Sequence, residues 1–415
     1  MQPLDGPAST VGRAGRRAVP AFLFTATAFW GVSLGLLIVT LPFRFQQLGI
    51  PVYEYGLTVG GYAAGMLLTE SIWGILAFRL GRPAPLVGIG CAVAGAIGLL
   101  GFATAFPVFL VAEVLLGAMG VYLAPLLRWV ALRYAGPGSE GTGTGQWSAF
   151  FGLGLAAGVT VGPIGFVAFG FRTVAFTSIL ALAVAVAAAA GLPWSRVALP
   201  SRREGRPVTW ATLATRPFLL ALVLVLIAFT AQTFTTNFLP YYSTILFGGT
   251  PTEAGYVLGA GRLVSLAAAF FLGRAVDRWG AGRSIPAGFV LLLLGGLGTW
   301  FSHSYAEMVA ATVVFSAGVG WLSASVLPLA LDAMPQDHQG TAVGVFGSME
   351  DAGLLVGPLL FGSTWSAYGP SSIFPVVVLV AAAGVGVSLW ARARVPQRGR
   401  SEAPAPSTGP TGEPD

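Results

Sequence analysis

The chain has 415 residues, of which 55% are hydrophobic and only 9% charged; the formal net charge is +6 and the mean hydropathy +0.78. An average soluble domain is about 25% charged, so this chain cannot cover an ordinary globular surface with ionic groups. All 22 basic residues are arginine, which removes phosphate-loop and Schiff-base lysines. Two distant histidines, His303 and His338, and a single cysteine, Cys91, give no zinc cluster and no intrachain disulfide.

In chain order, residues 1–19 are polar and carry Arg13, Arg16 and Arg17. An apolar run then opens near Ala21 and exceeds a signal peptide's core, so it is read as a retained first helix. Further apolar stretches of spanning length follow, a span needing about 20 residues. The expected helices are 20–43, 54–78, 86–105, 107–131, 142–168, 172–193, 217–246, 252–273, 284–303, 306–331, 340–366 and 371–392. With the N-terminus inside, 19 arginines fall on inside loops and ends; Arg44 and Arg172 fall outside, and Arg262 within a helix. That asymmetry predicts a multi-pass protein with both termini cytoplasmic. It also explains the positive charge without nucleic acid. Residues 194–216, with five arginines, read as a cytoplasmic linker, and 395–415 as a disordered cytoplasmic tail.

The two halves match at an offset near 199. Leu41-Pro42 answers Leu239-Pro240, Gly49 answers Gly248, and Glu54 answers Glu253. Gly56 answers Gly255, Gly60 answers Gly259, Arg79 answers Arg278, and Gly81 answers Gly280. Gly162-Pro163 answers Gly357-Pro358 after a slip of four. The expected fold is therefore an all-α membrane protein of twelve transmembrane helices, in two six-helix bundles (20–193 and 217–394) related by a pseudo-two-fold axis. An even number of helices per half makes that axis run along the membrane normal. Two such bundles can rock about a central site.

The loop after the second helix of each half carries a recognisable pattern. The second copy is Gly273-Arg274-Ala275-Val276-Asp277-Arg278-Trp279-Gly280-Ala281-Gly282-Arg283; the first keeps Gly74, Arg79, Gly81 and Arg82, with Phe78 in the acid's place. This resembles the G-x-x-x-D-R-x-G-R motif of the major facilitator superfamily, and the resemblance spans residues 20–394. It implies a gating role for these residues. Gly154, Gly158, Gly162 and Pro163, with Gly344, Gly353, Gly357 and Pro358, resemble the helix-packing motif of the family's drug/proton antiporters. One departure stands out: four residues before Gly117, where those antiporters carry arginine, this chain has Glu113.

Charges at mid-membrane are costly and mark function. The candidates for proton coupling are Glu70, Glu113, Glu350, Asp351 and Arg262. Glu70 and Glu350 sit at about 12 and 15 Å from the inner ends of their helices. The family resemblance puts those helices face to face, so Glu70 is expected near Glu350 or Asp351. It also implies a central path lined by Phe29, Trp30, Tyr122, Gln232, Asn237, Tyr241, Phe315 and Trp321. The expected function is alternating-access transport by a plasma-membrane monomer: proton-coupled efflux of small hydrophobic or amphipathic compounds. The partners would be that small-molecule substrate, protons and the lipid bilayer. The alternatives are uptake or facilitated diffusion of a metabolite, or a non-transporting receptor or assembly factor on the same scaffold. No nucleophile–base–metal constellation suggests an enzyme, and no cofactor or metal is expected.

Overall fold

The computed structural model describes residues 13–79, 83–135, 140–192, 194, 213–335 and 338–394. Gly81, Arg82, most of the 194–216 linker and the 395–415 tail lie outside the described residues. Among the described residues there is no strand. The chain folds into α1 (Arg13–Leu48), α2 (Val52–Arg79), α3 (Pro83–Phe102), α4 (Phe106–Gly120), α5 (Leu123–Ala135), α6 (Glu140–Phe169) and α7 (Phe171–Ala190). Then follow α8 (Arg216–Thr233), a π-helical turn (Phe234–Phe238), α9 (Leu239–Leu246), α10 (Pro251–Trp279), α11 (Ala281–Trp300), α12 (Tyr305–Asp332), α13 (Gln339–Tyr368) and α14 (Ile373–Arg394).

A backbone in hydrocarbon must satisfy its own donors and acceptors, which is why such sequence forms helices throughout. Ten of the helical segments are long and apolar enough to cross a membrane, and Phe106–Gly120 is a shorter apolar helix. Their outward faces are apolar: Leu68 is 73% exposed, Phe169 74% and Leu379 68%. Such a surface would drive aggregation in water and is matched to lipid. The structure is a multi-pass membrane protein.

Two expected helices are interrupted. The stretch 107–131 breaks at Val121 and Tyr122, between α4 and α5, and its second part runs on to Ala135. The stretch 217–246 is continuous but passes through the π-turn between α8 and α9. Helix starts follow local chemistry. At α10 the Glu253 N–H donates to Thr250 Oγ1 (3.2 Å), while Glu253 Oε2 accepts from the Thr250 N–H (2.7 Å), a reciprocal cap.

The internal repeat reappears in the backbone. Gly49 (φ 66°) and Gly248 (φ 63°) make equivalent left-handed turns, as do Gly170 (φ 81°) and Gly369 (φ 89°). Packing repeats as well. In the first half α1 packs on α6 and α7, α2 on α4, and α3 on α4 and α7. In the second, α8 packs on α13 and α14, α10 on α12, and α11 on α12 and α14. The halves meet mainly through two crossings, α2 with α13 and α6 with α10.

Candidate functional site

Glycine faces bring these helices together. A Cβ on Gly158 would lie 2.5 Å from Val32 O, and one on Gly162 3.1 Å from Leu36 O. Gly154 lies closer still to the Ala28 carbonyl, so α6 meets α1 backbone to backbone at every fourth residue. Gly353 and Gly357 do the same for α13 on α8, each within 2.8 Å of an α8 carbonyl by the same measure. Gly344 departs from the expected packing motif, since a Cβ there would meet nothing within 4 Å. It sits at the exposed start of α13, where no neighbouring helix covers it. Pro163 and Pro358 face the opposite half, where Gly255 and Gly56 leave room for them.

These contacts leave a cavity of about 270 Å³ between the halves. Arg128, Trp147 and Ser148 come from α5 and α6; Val225, Phe229 and Gln232 come from α8. Val319, Leu322, Ser323 and Val326 of α12 and Phe346, Gly347 and Glu350 of α13 complete most of the wall. The lining is chiefly apolar, with one cation and one acid. The Arg128 guanidinium lies over the Trp147 ring, 5.9 Å from its centroid.

Beside this wall the α2–α13 crossing gathers the acids. Glu70 of α2 lies beside Asp351 and Ser348 of α13, its carboxyl against Gly347. Arg128 interacts electrostatically with both Glu70 and Glu350. Gly347 leaves space for the Glu70 carboxyl, since a Cβ there would lie 3.1 Å from Glu70 Oε1. Asp351 is buried and its Oδ2 has no hydrogen-bond partner among the described residues. The other two candidates lie apart. Glu113 is buried in α4, within electrostatic reach of Tyr55 and Tyr62. The Arg262 Nη2 donates to Thr236 Oγ1 (2.8 Å).

Of the residues expected along the central path, only Gln232 lines the cavity. Phe29 is exposed, and Phe315 is fully buried against Phe234 in the second half's core. Trp30 packs on Phe151, and Tyr122 lies edge-on to Trp73. Asn237 and Tyr241 are buried beside α2, where the Tyr55 hydroxyl donates to the Asn237 carbonyl (3.1 Å). Trp321 is partly buried in α12. The sequence reading puts Arg128 among the loop arginines, but α5 carries it into the cavity wall. Of the expected gate, Gly74, Arg79, Gly273, Asp277 and Arg278 lie in the last turns of α2 and α10; Gly280 makes a left-handed turn (φ 83°) before Arg283 in α11. No group of three or more His, Cys, Asp or Glu able to hold a metal occurs among the described residues.

The comparisons agree with this architecture. The family model described as Major Facilitator Superfamily matches residues 22–261 and 224–412. The multidrug resistance protein MdtG of Rahnella sp. (strain Y9602) is 24% identical over 379 residues, 89% of this chain and 92% of that protein. The riboflavin transporter RibZ of Clostridioides difficile (strain 630) is 26% identical over 123 residues, so the chain spans about a quarter (27%) of that relative's length. Among solved structures, a point mutant of the nucleoside transporter NupG superposes with a TM-score of 0.77 at 11% identity, covering 90% of this chain and 99% of that one. A bacterial homologue of the lysosomal transporter Spinster, inward-facing and occupied, gives 0.70 at 16% identity, covering 92% and 94%. The family match extends over nearly the whole chain, and the chain belongs to the Major Facilitator Superfamily of membrane transporters, which are not enzymes.

Proposed function

We propose that the protein is a proton-coupled exporter of small hydrophobic or amphipathic compounds, working by alternating access. Twelve spans would form two six-helix bundles, 20–193 and 217–394, with α4 and α5 making one span and α8, the π-turn and α9 another. Both termini would face the cytoplasm and the monomer would sit in the plasma membrane. The arginine asymmetry of the sequence supports that orientation.

The observation that carries the reading is the carboxyl pair Glu70–Asp351, which bridges the two halves beside the cavity. Two carboxyl groups held this close would share a proton, since both cannot ionise cheaply. Opening the α2–α13 crossing would separate them and release it. Arg128, near both Glu70 and Glu350, would tie that proton to whatever occupies the cavity. The apolar walls suit a largely apolar substrate with a few polar groups. MdtG, named as a multidrug resistance protein, supports export.

A second reading, uptake, is favoured by one observation: Glu113 stands where antiporters of the resembled group carry arginine. Purified protein in proteoliposomes with an imposed pH gradient separates the two. Rhodamine 6G, ethidium, carboxyfluorescein and riboflavin serve as the panel. Accumulation of at least one dye against its gradient, driven by opposing proton movement and lost in Glu70→Gln, is expected. Movement in the same direction as protons would establish uptake instead.

A further inference from the structure

No described carboxylate balances the charge of Arg262. Arg262 lies about 16 Å along α10 from its start at Pro251, in the body of the helical packing. Its side chain nevertheless keeps part of its surface open, as expected of a group facing an internal space rather than a sealed core. No carboxylate lies within 4.0 Å of it among the described residues. Glu70 and Glu350 interact with Arg128, Asp351 with Glu70 and Glu350, and Glu113 with Tyr55 and Tyr62. Glu253, the remaining acid of α10 outside its final turns, caps the helix start nine residues away.

What holds Arg262 is a hydroxyl on the π-turn. Thr236 Oγ1 accepts from Arg262 Nη2 (2.8 Å) and donates to the Gln232 carbonyl (3.2 Å). Gln232 is itself part of the cavity wall. Thr236 therefore stands one helical turn beyond the cavity, about 6 Å further along from Gln232, and Arg262 of α10 meets it there. Thr236 occupies one N–H and leaves the rest of the guanidinium fork free, the geometry that takes a carboxylate in two parallel hydrogen bonds. An arginine kept in the membrane without a counter-charge is expensive, and a ligand can supply what the chain lacks.

We propose that Arg262, oriented by Thr236, binds the anionic head of an amphipathic monocarboxylate or sulfonate whose apolar body lies in the cavity against Phe229 and Leu322. This deepens the export reading and rests on it: the substrates preferred would be organic anions.

A matched set tests it: 4-phenylbutyrate, 4-phenylbutanol and 4-phenylbutylamine share a body and differ only in the head. Binding to the purified full chain in nanodiscs is followed by tryptophan fluorescence, alongside melting of the unliganded protein. The wild type should bind the carboxylate at least about tenfold more tightly than the alcohol or amine, the worth of one charge-assisted pair. Arg262→Gln should lose that preference while keeping the alcohol's affinity; Arg262→Lys should recover part of it, and Thr236→Val should weaken it severalfold. Because no partner is stranded, unliganded Arg262→Gln should melt no lower than the wild type. A lower melting point would mean that Arg262 is paired within the chain, and would overturn the site. So would equal affinity for the three heads, which leaves export of amphipathic compounds standing if the dye panel still moves. Failure of all three to bind, with no dye transported, contradicts both readings.

Discussion

Gly154 and Gly344 show what a single position contributes. The first faces the Ala28 carbonyl and the second faces open space. Gly154→Ala should therefore destabilise the protein by about 1–3 kcal/mol through overpacking. Gly344→Ala should be neutral or stabilise by about 0.5–1 kcal/mol, as expected of alanine in a helix. Thermal melting in detergent checks both, and a lower melting point for Gly344→Ala than for Gly154→Ala would contradict the packing. Gly347→Ala should crowd the Glu70 carboxyl and reduce proton-driven flux without lowering the melting point comparably. Within the coupling reading, Asp351→Asn should leave substrate exchange active but make it insensitive to an imposed pH gradient; retained pH-driven accumulation would make the pair structural. The acids were legible because charge is conspicuous in an apolar chain, and compatible depths together with the family resemblance put Glu70 near Glu350 or Asp351. Arg128 was not, because an arginine near a helix end looks the same in a loop as in a wall. Phe315 misled for a related reason: aromatic residues fill membrane cores as readily as they line paths, and only packing separates the two.

Most element boundaries were visible in hydropathy to within a few residues, but α1 (Arg13–Leu48 against 20–43) and the end of α10 (Trp279 against 273) run longer, and the interruptions were not visible. A π-turn depends on how neighbours pack around one extra residue, so Phe234–Phe238 has no signature in periodicity. The break at Val121 and Tyr122 likewise joins two helices of unremarkable composition. Both interruptions place side chains that matter: Thr236 toward Arg262, and Arg128 toward the cavity. One element-level contact joins α2 and the π-turn, through Tyr55 Oη and the Asn237 carbonyl; in the alternating-access reading it would close the outer end. Tyr55→Phe removes one hydrogen bond worth about 1 kcal/mol. If the halves rock, the outward-open population should rise about fivefold, read as labelling of a cysteine placed at Thr244. Unchanged labelling would show that this bond does not hold the outer end closed.

At the scale of the molecule, the repeat carried the most information. Positive-φ glycines recur 199 residues apart, and the packing of α1 on α6 and α7 is repeated by α8 on α13 and α14. The family resemblance put α2 opposite α13; the related crossing of α6 with α10 was not read from the sequence. In the proposed alternating access those crossings would set the movement, one end opening as the other closes. Spin labels test it on the cysteine-free Cys91→Ser background. One pair, at Gln46 and Leu246, spans the end where α1 and α9 finish. The other, at Tyr134 and Asp332, spans the end where α5 and α12 finish. On acidification or addition of a transported compound, the account predicts opposite changes at the two ends: one distance lengthens while the other shortens. Distances that stay fixed, or that change with the same sign, would contradict it.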